Sequence, residues 1–315
     1  METSLLRVPS GRLRTPWRLF LATVFFALVS VAGTLAVVAA VRMFFGLGLG
    51  DPVVLVGSVV ASGIAVALGV AVAARVLDRR SFPELGVAFD AGWRRDLGVG
   101  VALGGVLVAG PYLAGVALGV YRPRFAPAAP EGLSVLGGFA LVTVLMCVVG
   151  VYEELLFRGY ILTNLAEGLT VRLGGRPAVF GAVALSSLGF AAVHGSNPNM
   201  NGLGVGTIAV AGAALGLGYA LTGRLALPVG FHTAWNLTHF VFGLPVSGLD
   251  LGIRLFATDS AGPALVHGGA VGFEGGLLGL AGTLVGCLGV VAYGRLVGGG
   301  VRTDIAAPPA GRDDG

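Results

Sequence analysis

The chain has 315 residues, of which 55% are hydrophobic and 11% charged, and its net charge of +4 comes from arginine, lysine being absent. A soluble domain carries about 25% charged residues, so this composition excludes folding in water and makes lipid the solvent. No basic run interleaved with aromatics marks a nucleic-acid surface, and Cys147 and Cys287, each in an apolar run, offer neither metal spacing nor a disulfide framework and are expected to be buried free thiols.

Arg7, Arg12, Arg14 and Arg18 precede a charge-free run from Leu19 to Val41. That run is longer than the roughly 7–15 apolar residues of a signal peptide and no clear small-residue cleavage site follows it, so it is expected to be a retained first span. Such runs must be helices, because inside lipid every backbone polar group has to bond internally. Spans are predicted near residues 17–41, 53–76, 97–120, 133–157, 178–194, 205–222, 225–243 and 273–297. The fold class is therefore all-α, a polytopic transmembrane helix bundle of about eight spans. Glycines four apart at Gly100/Gly104, Gly115/Gly119, Gly212/Gly216 and Gly282/Gly286 match the small-residue spacing that lets helices approach closely in lipid.

Arginine gathers in the amino tail, in the connection from Arg75 to Asp96, at Arg158, Arg172, Arg176 and Arg224, and beyond the last span. Positive residues favour the cytoplasmic side, which predicts both termini in the cytoplasm of a multi-pass protein of the cell (plasma) membrane. The stretch from Arg122 to Gly132, with Pro123, Pro127 and Pro130, is expected to be an irregular outer loop. Leu244 to Gly272 is expected to be a longer one, and the tail from Thr303 to be disordered. This divides the chain into residues 1–132, three amino-terminal spans with a cytoplasmic tail; 133–243, a core of four spans; 244–302, outer loop and final span; and 303–315, the tail. No soluble domain and no internal repeat is found.

Ionisable groups inside a membrane are costly and ask for a reason. Three groups qualify, all from residue 153 onward. Glu153 and Glu154 follow twenty uncharged residues, and Arg158 lies one turn beyond Glu154. Residues four apart share a helix face, so Glu154 pairs with Arg158, while Glu153 points about 100° away and stays available as a general base. His194 ends an apolar helix. His232 and Asn236 lie one turn apart on another. Each group alone has an ordinary explanation: an interfacial ion pair, a helix cap, an interhelical hydrogen bond. Together they place two imidazoles, a carboxylate and a carboxamide on three spans. Such a set can hold a zinc ion with an open water position, or can polarise a water directly with glutamate taking its proton, and the amide is a donor for an oxyanion. No H-E-x-x-H signature is present, so zinc, if used, would be held across helices; the residue types leave the metal open.

Glu153-Glu154-x-x-x-Arg158, Phe190-x-x-x-His194 and His232-x-x-x-Asn236 resemble, in order, the three motifs of the CPBP family, the CAAX proteases and bacteriocin-processing enzymes also called Abi. The resemblance covers residues 140–243. It implies an intramembrane endopeptidase of about eight helices. In it the residues matching Glu153 and His194 activate water, those matching His232 and Asn236 stabilise the oxyanion, and those matching Glu154 and Arg158 organise the site. The implied partners are a membrane-associated peptide or protein substrate and the bilayer, with no nucleic acid. A proton-coupled transporter would also bury such residues, but it would show corresponding halves. A non-catalytic membrane partner or immunity protein is the other alternative.

Geometry adds one expectation. The three motifs can meet only if the fourth helix continues past Arg158 to about Leu165, long enough to exceed the bilayer and hold Glu153 at mid-depth. His239 is expected to pack, His267 to be solvated, and Glu274 to open the last span.

Overall fold

A computed structural model describes residues 6–8, 11–46 and 52–309. Seven of the described helices are long and apolar enough to cross a membrane. The first, α1 (Thr15–Phe45), starts with a proline in its first turn and stops at Gly46, whose φ of 68° is a left-handed cap. Its exposed leucines and valines, such as Leu28, Val31 and Leu35, face the apolar solvent that the composition demands. Helix α2 (Pro52–Ala73) is extended by a π-helical turn, Ala74–Asp78. Helix α3 (Ala91–Ala117) is capped by Asp90, whose carboxylate accepts from the Trp93 N–H at 2.7 Å. That hydrogen bond holds the Asp90 carboxyl below its ordinary range.

The fourth span is the longest. Helix α4 (Val135–Glu154), capped by Ser134, runs into a π-helical stretch, Leu155–Leu162, and then into α5 (Thr163–Leu173). The whole is one rod of 39 residues, about 58 Å long at 1.5 Å per residue. The expected continuation past Arg158 is therefore present and reaches beyond Leu165. Glu153 sits near the middle of the rod.

Helices α6 (Gly175–His194) and α7 (Gly202–Thr222) follow as spans. The predicted seventh span is α8 (Ala226–Phe242), and for it the expectation is modified. It has 17 residues, short of the roughly 20 that cross a bilayer, and every residue from Ala226 to Asn236 is buried. It is the core rod of the bundle, enclosed by protein. Helix α9 (Ala264–His267) is a single turn, and α10 (Leu277–Gly298) is the last span.

Glycine brings α8 and α3 together. A Cβ at Gly100 would lie 2.3 Å from the Leu227 carbonyl oxygen, and one at Gly104 would lie 2.2 Å from that of Phe231. Close approach of this kind replaces the hydrophobic effect as the glue between helices in lipid. The Gly212/Gly216 and Gly282/Gly286 pairs also face neighbouring elements, whereas Gly119 meets no other atom within 4 Å.

Two connections are more ordered than the sequence implied. Strands β1 (Tyr121–Ala128) and β2 (Arg254–Ser260) pair antiparallel, Tyr121 opposite Ser260 and Phe125 opposite Phe256. The sheet forms because both connections are extended and each offers the other a ladder. With only two strands each has a free edge, where the prolines of β1 are tolerated. The tail also begins in order: Asp304–Ala306 is a 3₁₀ turn with Ile305 and Ala306 buried, and the Arg302 N–H donates to the Ala220 carbonyl at 2.8 Å. Those two apolar side chains give the segment something to bury. The last residues of the tail expectation, 310–315, lie outside the described residues. Cys147 is exposed on the helix surface, not buried, because lipid accepts a thiol as readily as the core does; both cysteines are free.

An ion cluster closes one end of the bundle. Glu167 on α5 accepts from Arg12 at 2.8 Å, Arg18 at 2.9 Å and Arg80 at 2.8 Å, and Arg18 also pairs with Asp78 at 2.5 Å. Arg80 donates to the Ala307 carbonyl at 2.6 Å. The amino tail, the end of α2, the long rod and the carboxyl segment are thus tied together.

Candidate active site

Glu153 and Glu154 stand at the point where the fourth rod changes from α to π winding, a local change that frequently marks functional positions. Helix α8 presses against the rod just before it: a Cβ at Gly150 would lie 2.3 Å from the Thr233 Oγ1. This contact delivers His232 to Glu154. The His232 Nδ1 lies 2.8 Å from Glu154 Oε1, and the same oxygen accepts from Arg158 Nη1 at 2.8 Å. The predicted Glu154–Arg158 pair is present and fully buried. Arg158 also donates to the Gly212 carbonyl at 3.2 Å and stacks 4.4 Å from the Phe190 ring centre. Its charge is therefore engaged in holding Glu154.

Both imidazoles are set by the same device. The His194 Nδ1 lies 2.8 Å from the Phe190 carbonyl, which can only accept, so Nδ1 carries the proton. The His232 Nδ1 donates to Glu154 in the same way. Each ring therefore presents Nε2 to the space between them. The Phe190 ring lies against both, 4.5 Å from the His194 ring and 5.9 Å from that of His232.

Glu153 completes the set. Its Oε2 is 3.9 Å from His194 Nε2 and 3.9 Å from His232 Nε2. That oxygen is buried and has no hydrogen-bond partner. Separations of 3.9 Å are too long for direct hydrogen bonds and leave room for a bridging water. The other oxygen, Oε1, accepts from the Tyr152 hydroxyl at 3.0 Å. Tyr152 is itself seated on glycine, since a Cβ at Gly63 would lie 2.5 Å from its ring.

Glu153, His194, His232 and Asn236 line one cavity of about 500 Å³. All three predicted motifs therefore converge, with Glu154 and Arg158 behind them. Asn236, one turn beyond His232, is buried at the cavity wall. Glu153, His194 and His232 are residue types that can hold a zinc ion, and Oε2 at 3.9 Å from each Nε2 stands somewhat wider than the roughly 3.3 Å between ligands of a tetrahedral site.

Sequence reasoning missed several residues of the site. Tyr152 had only its position beside the acid pair to signal it. Glu274, read as the opening of the last span, instead turns inward. Its carboxylate accepts from Trp235 Nε1 at 2.9 Å, from the Ser247 N–H at 2.6 Å and from the Ser247 hydroxyl at 2.8 Å. Asn197 Nδ2 donates to the Ser247 carbonyl at 3.1 Å, and Ser247 has a φ of 47°, a strained value for a residue with a side chain. Together they hold the segment after α8 across the cavity. His239 packs as expected, buried with Nδ1 on the Trp235 carbonyl. His267, expected to be solvated, is half-buried at the end of α9, with Nε2 3.3 Å from the Gly262 carbonyl.

Residues 135–238 match a family of known proteins described as Type II CAAX prenyl endopeptidase Rce1-like. No curated protein and no solved structure matches the chain.

Proposed function

We propose, from the match of residues 135–238 to the Rce1-like family in a chain of membrane-spanning helices, that the protein is an intramembrane endopeptidase that hydrolyses a peptide bond with a water activated by Glu153 and His194. The observation that carries this reading is the position of one unpartnered carboxylate oxygen 3.9 Å from two imidazole nitrogens in a shared cavity. A water between them is polarised by His194, and Glu153 Oε2 takes its proton. The resulting hydroxide adds to the scissile carbonyl. Asn236 and a doubly protonated His232, its charge balanced by Glu154, donate to the oxyanion. Glu153 then returns the proton to the leaving nitrogen, and the C–N bond breaks. One water is consumed, and one amine and one acid are formed.

Glu154 and Arg158 take no part in the bond changes. They lock the tautomer and the direction of His232, as outer partners of catalytic histidines do. The proposed mechanism runs without a metal, since the carboxylate and the two imidazoles suffice to activate the water. The substrate is a membrane-associated peptide or protein reaching the cavity from the bilayer. The gathering of Arg12, Arg18 and Arg80 at one end of the bundle supports termini on the cytoplasmic side.

The test is cleavage of a peptide library by the purified protein in detergent, compared with Glu153→Ala and His194→Ala and repeated with a chelator. Hydrolysis by the unaltered protein alone, indifferent to chelator, is the expected result. Hydrolysis that survives both substitutions overturns the roles of Glu153 and His194, and loss with chelator overturns the metal-free step.

A further inference from the structure

The start of α2 lines the active-site cavity with Leu55, Val56 and Val59. Its other end forms a second cavity, of about 320 Å³. There the helix passes into the π-helical turn Ala74–Asp78. Arg79 ends that turn with a φ of 56°, and the Arg80 N–H donates to the Ala74 carbonyl at 2.8 Å. The reversal puts Arg75 and Arg80 on the wall of one cavity, beside Val72, Val76, Phe82 and Leu85. No carboxylate lines it. Val72, Val76 and Phe82 are exposed, and in a bilayer such surface meets acyl chains.

The protein does not balance the charge at this cavity. Arg80 belongs to the cluster in which Glu167 serves Arg12, Arg18 and Arg80, and Asp78 serves Arg18. Three guanidiniums there face two carboxylates, so one positive charge is left over. Arg75 adds a second. It is exposed, and among the described residues its guanidinium has neither an ion pair nor a hydrogen bond. Glu84, the next acid along the chain, is engaged by the Ser81 N–H and hydroxyl, each at 2.7 Å.

We propose that this cavity binds one anionic phospholipid, with its phosphate on Arg75 in the field of Arg80 and an acyl chain along Val72, Val76 and Phe82. A guanidinium offers a fork of donors that matches phosphate oxygens. Basic pockets beside spans on the cytoplasmic side take anionic head groups, and the arginine distribution gives this end of the bundle to that side. The cavity is roughly ten times the volume of a water in the liquid, room enough for a phosphate ester. A zwitterionic head group carries its own cation and cancels most of the attraction. Inorganic phosphate lacks the chain and forgoes the apolar contact. The proposal is independent of the hydrolase reading.

The test uses the purified full chain, delipidated in a neutral detergent. It is titrated with phosphatidylglycerol, with phosphatidylcholine of the same acyl chains, and with inorganic phosphate, and bound lipid is counted by native mass spectrometry. One phosphatidylglycerol is expected to bind about tenfold more tightly than phosphatidylcholine, with inorganic phosphate failing to displace it at the same concentration. Arg75→Gln alters an exposed side chain that holds nothing in place, so it should keep the unfolding midpoint while weakening this binding about tenfold. Arg172→Gln removes the same charge from an exposed arginine outside the cavity and should leave binding unchanged. Val72→Trp fills the cavity from an exposed wall position and should weaken binding with both arginines kept. Equal binding of the two lipids, or a loss in Arg75→Gln no larger than in Arg172→Gln, overturns the proposal. So does binding indifferent to Val72→Trp, and displacement by inorganic phosphate would assign the cavity to a free anion instead.

Discussion

Oxygen Oε1 of Glu154 lies 2.8 Å from Nδ1 of His232, with both groups buried. The contact joins the fourth rod to α8, and through Arg158 it reaches α7. Because the same oxygen serves Arg158, the pair is both an ion bridge and the element that aims an imidazole.

Removing one partner of that bridge strands the other. Arg158→Leu leaves the Glu154 carboxylate buried with only His232, and loss of one member of a buried ion pair costs about 3–5 kcal/mol. Thermal unfolding in detergent should show a large fall in midpoint for Arg158→Leu. The double substitution Glu154→Leu/Arg158→Leu should recover part of it. A single variant as stable as the parent would contradict the burial of this pair.

Glu153→Gln keeps size and polarity but removes the proposed base. Proton transfer by a positioned group contributes about 10²–10⁴-fold. Cleavage should fall by at least about 10²-fold, with the unfolding midpoint unchanged within error. An equal drop in both would point to misfolding.

Tyr152→Phe tests a single hydrogen bond. The hydroxyl holds Glu153 Oε1 at 3.0 Å, so that Oε2 is the oxygen between the imidazoles. Its loss lets the carboxylate rotate. We expect kcat to fall about tenfold, the equivalent of one hydrogen bond to a charged group, with KM little changed. A change in KM alone would assign Tyr152 to substrate binding.

Gly104→Ala tests helix approach. The new methyl would sit 2.2 Å from the Phe231 carbonyl oxygen, and overpacking of this kind costs about 1–3 kcal/mol. Gly98→Ala on the same helix meets no atom within 4 Å and should be neutral or slightly stabilising, because alanine favours the helix. Unfolding midpoints of the two variants side by side decide the matter.

Glu274→Ala removes the acceptor of three hydrogen bonds from Trp235 and Ser247. The variant leaves a buried indole N–H unpaired, at about 1–3 kcal/mol, and frees the segment around Ser247. Protease nicking between residues 244 and 253 should become faster. Unchanged nicking would mean that the segment is held by its apolar contacts.

Much of the site was legible before any coordinates. A charge inside an apolar run has few explanations, so Glu153, Glu154, Arg158, His194, His232 and Asn236 stood out by the cost of burying them. The helix period then separated Glu153 from Glu154. Tyr152 and Glu274 did not stand out. A tyrosine in a membrane helix is ordinary, and a glutamate just ahead of a span fits a helix N-terminus. Their roles come from Gly63 on one side and Trp235 and Ser247 on the other, partners distant in sequence.

The same division holds for the fold. Length and hydropathy of each run determine that lipid is the solvent and that the runs are helices, since an unpaired backbone group in hydrocarbon is too costly to persist. They cannot say which helix lies at the centre. That α8 is enclosed, that β1 finds β2 across more than a hundred residues, and that Glu153 faces two imidazoles at equal distance were decided by packing. In lipid, packing depends on which glycines meet which backbones, and that complementarity exists only between helices, not along any one of them.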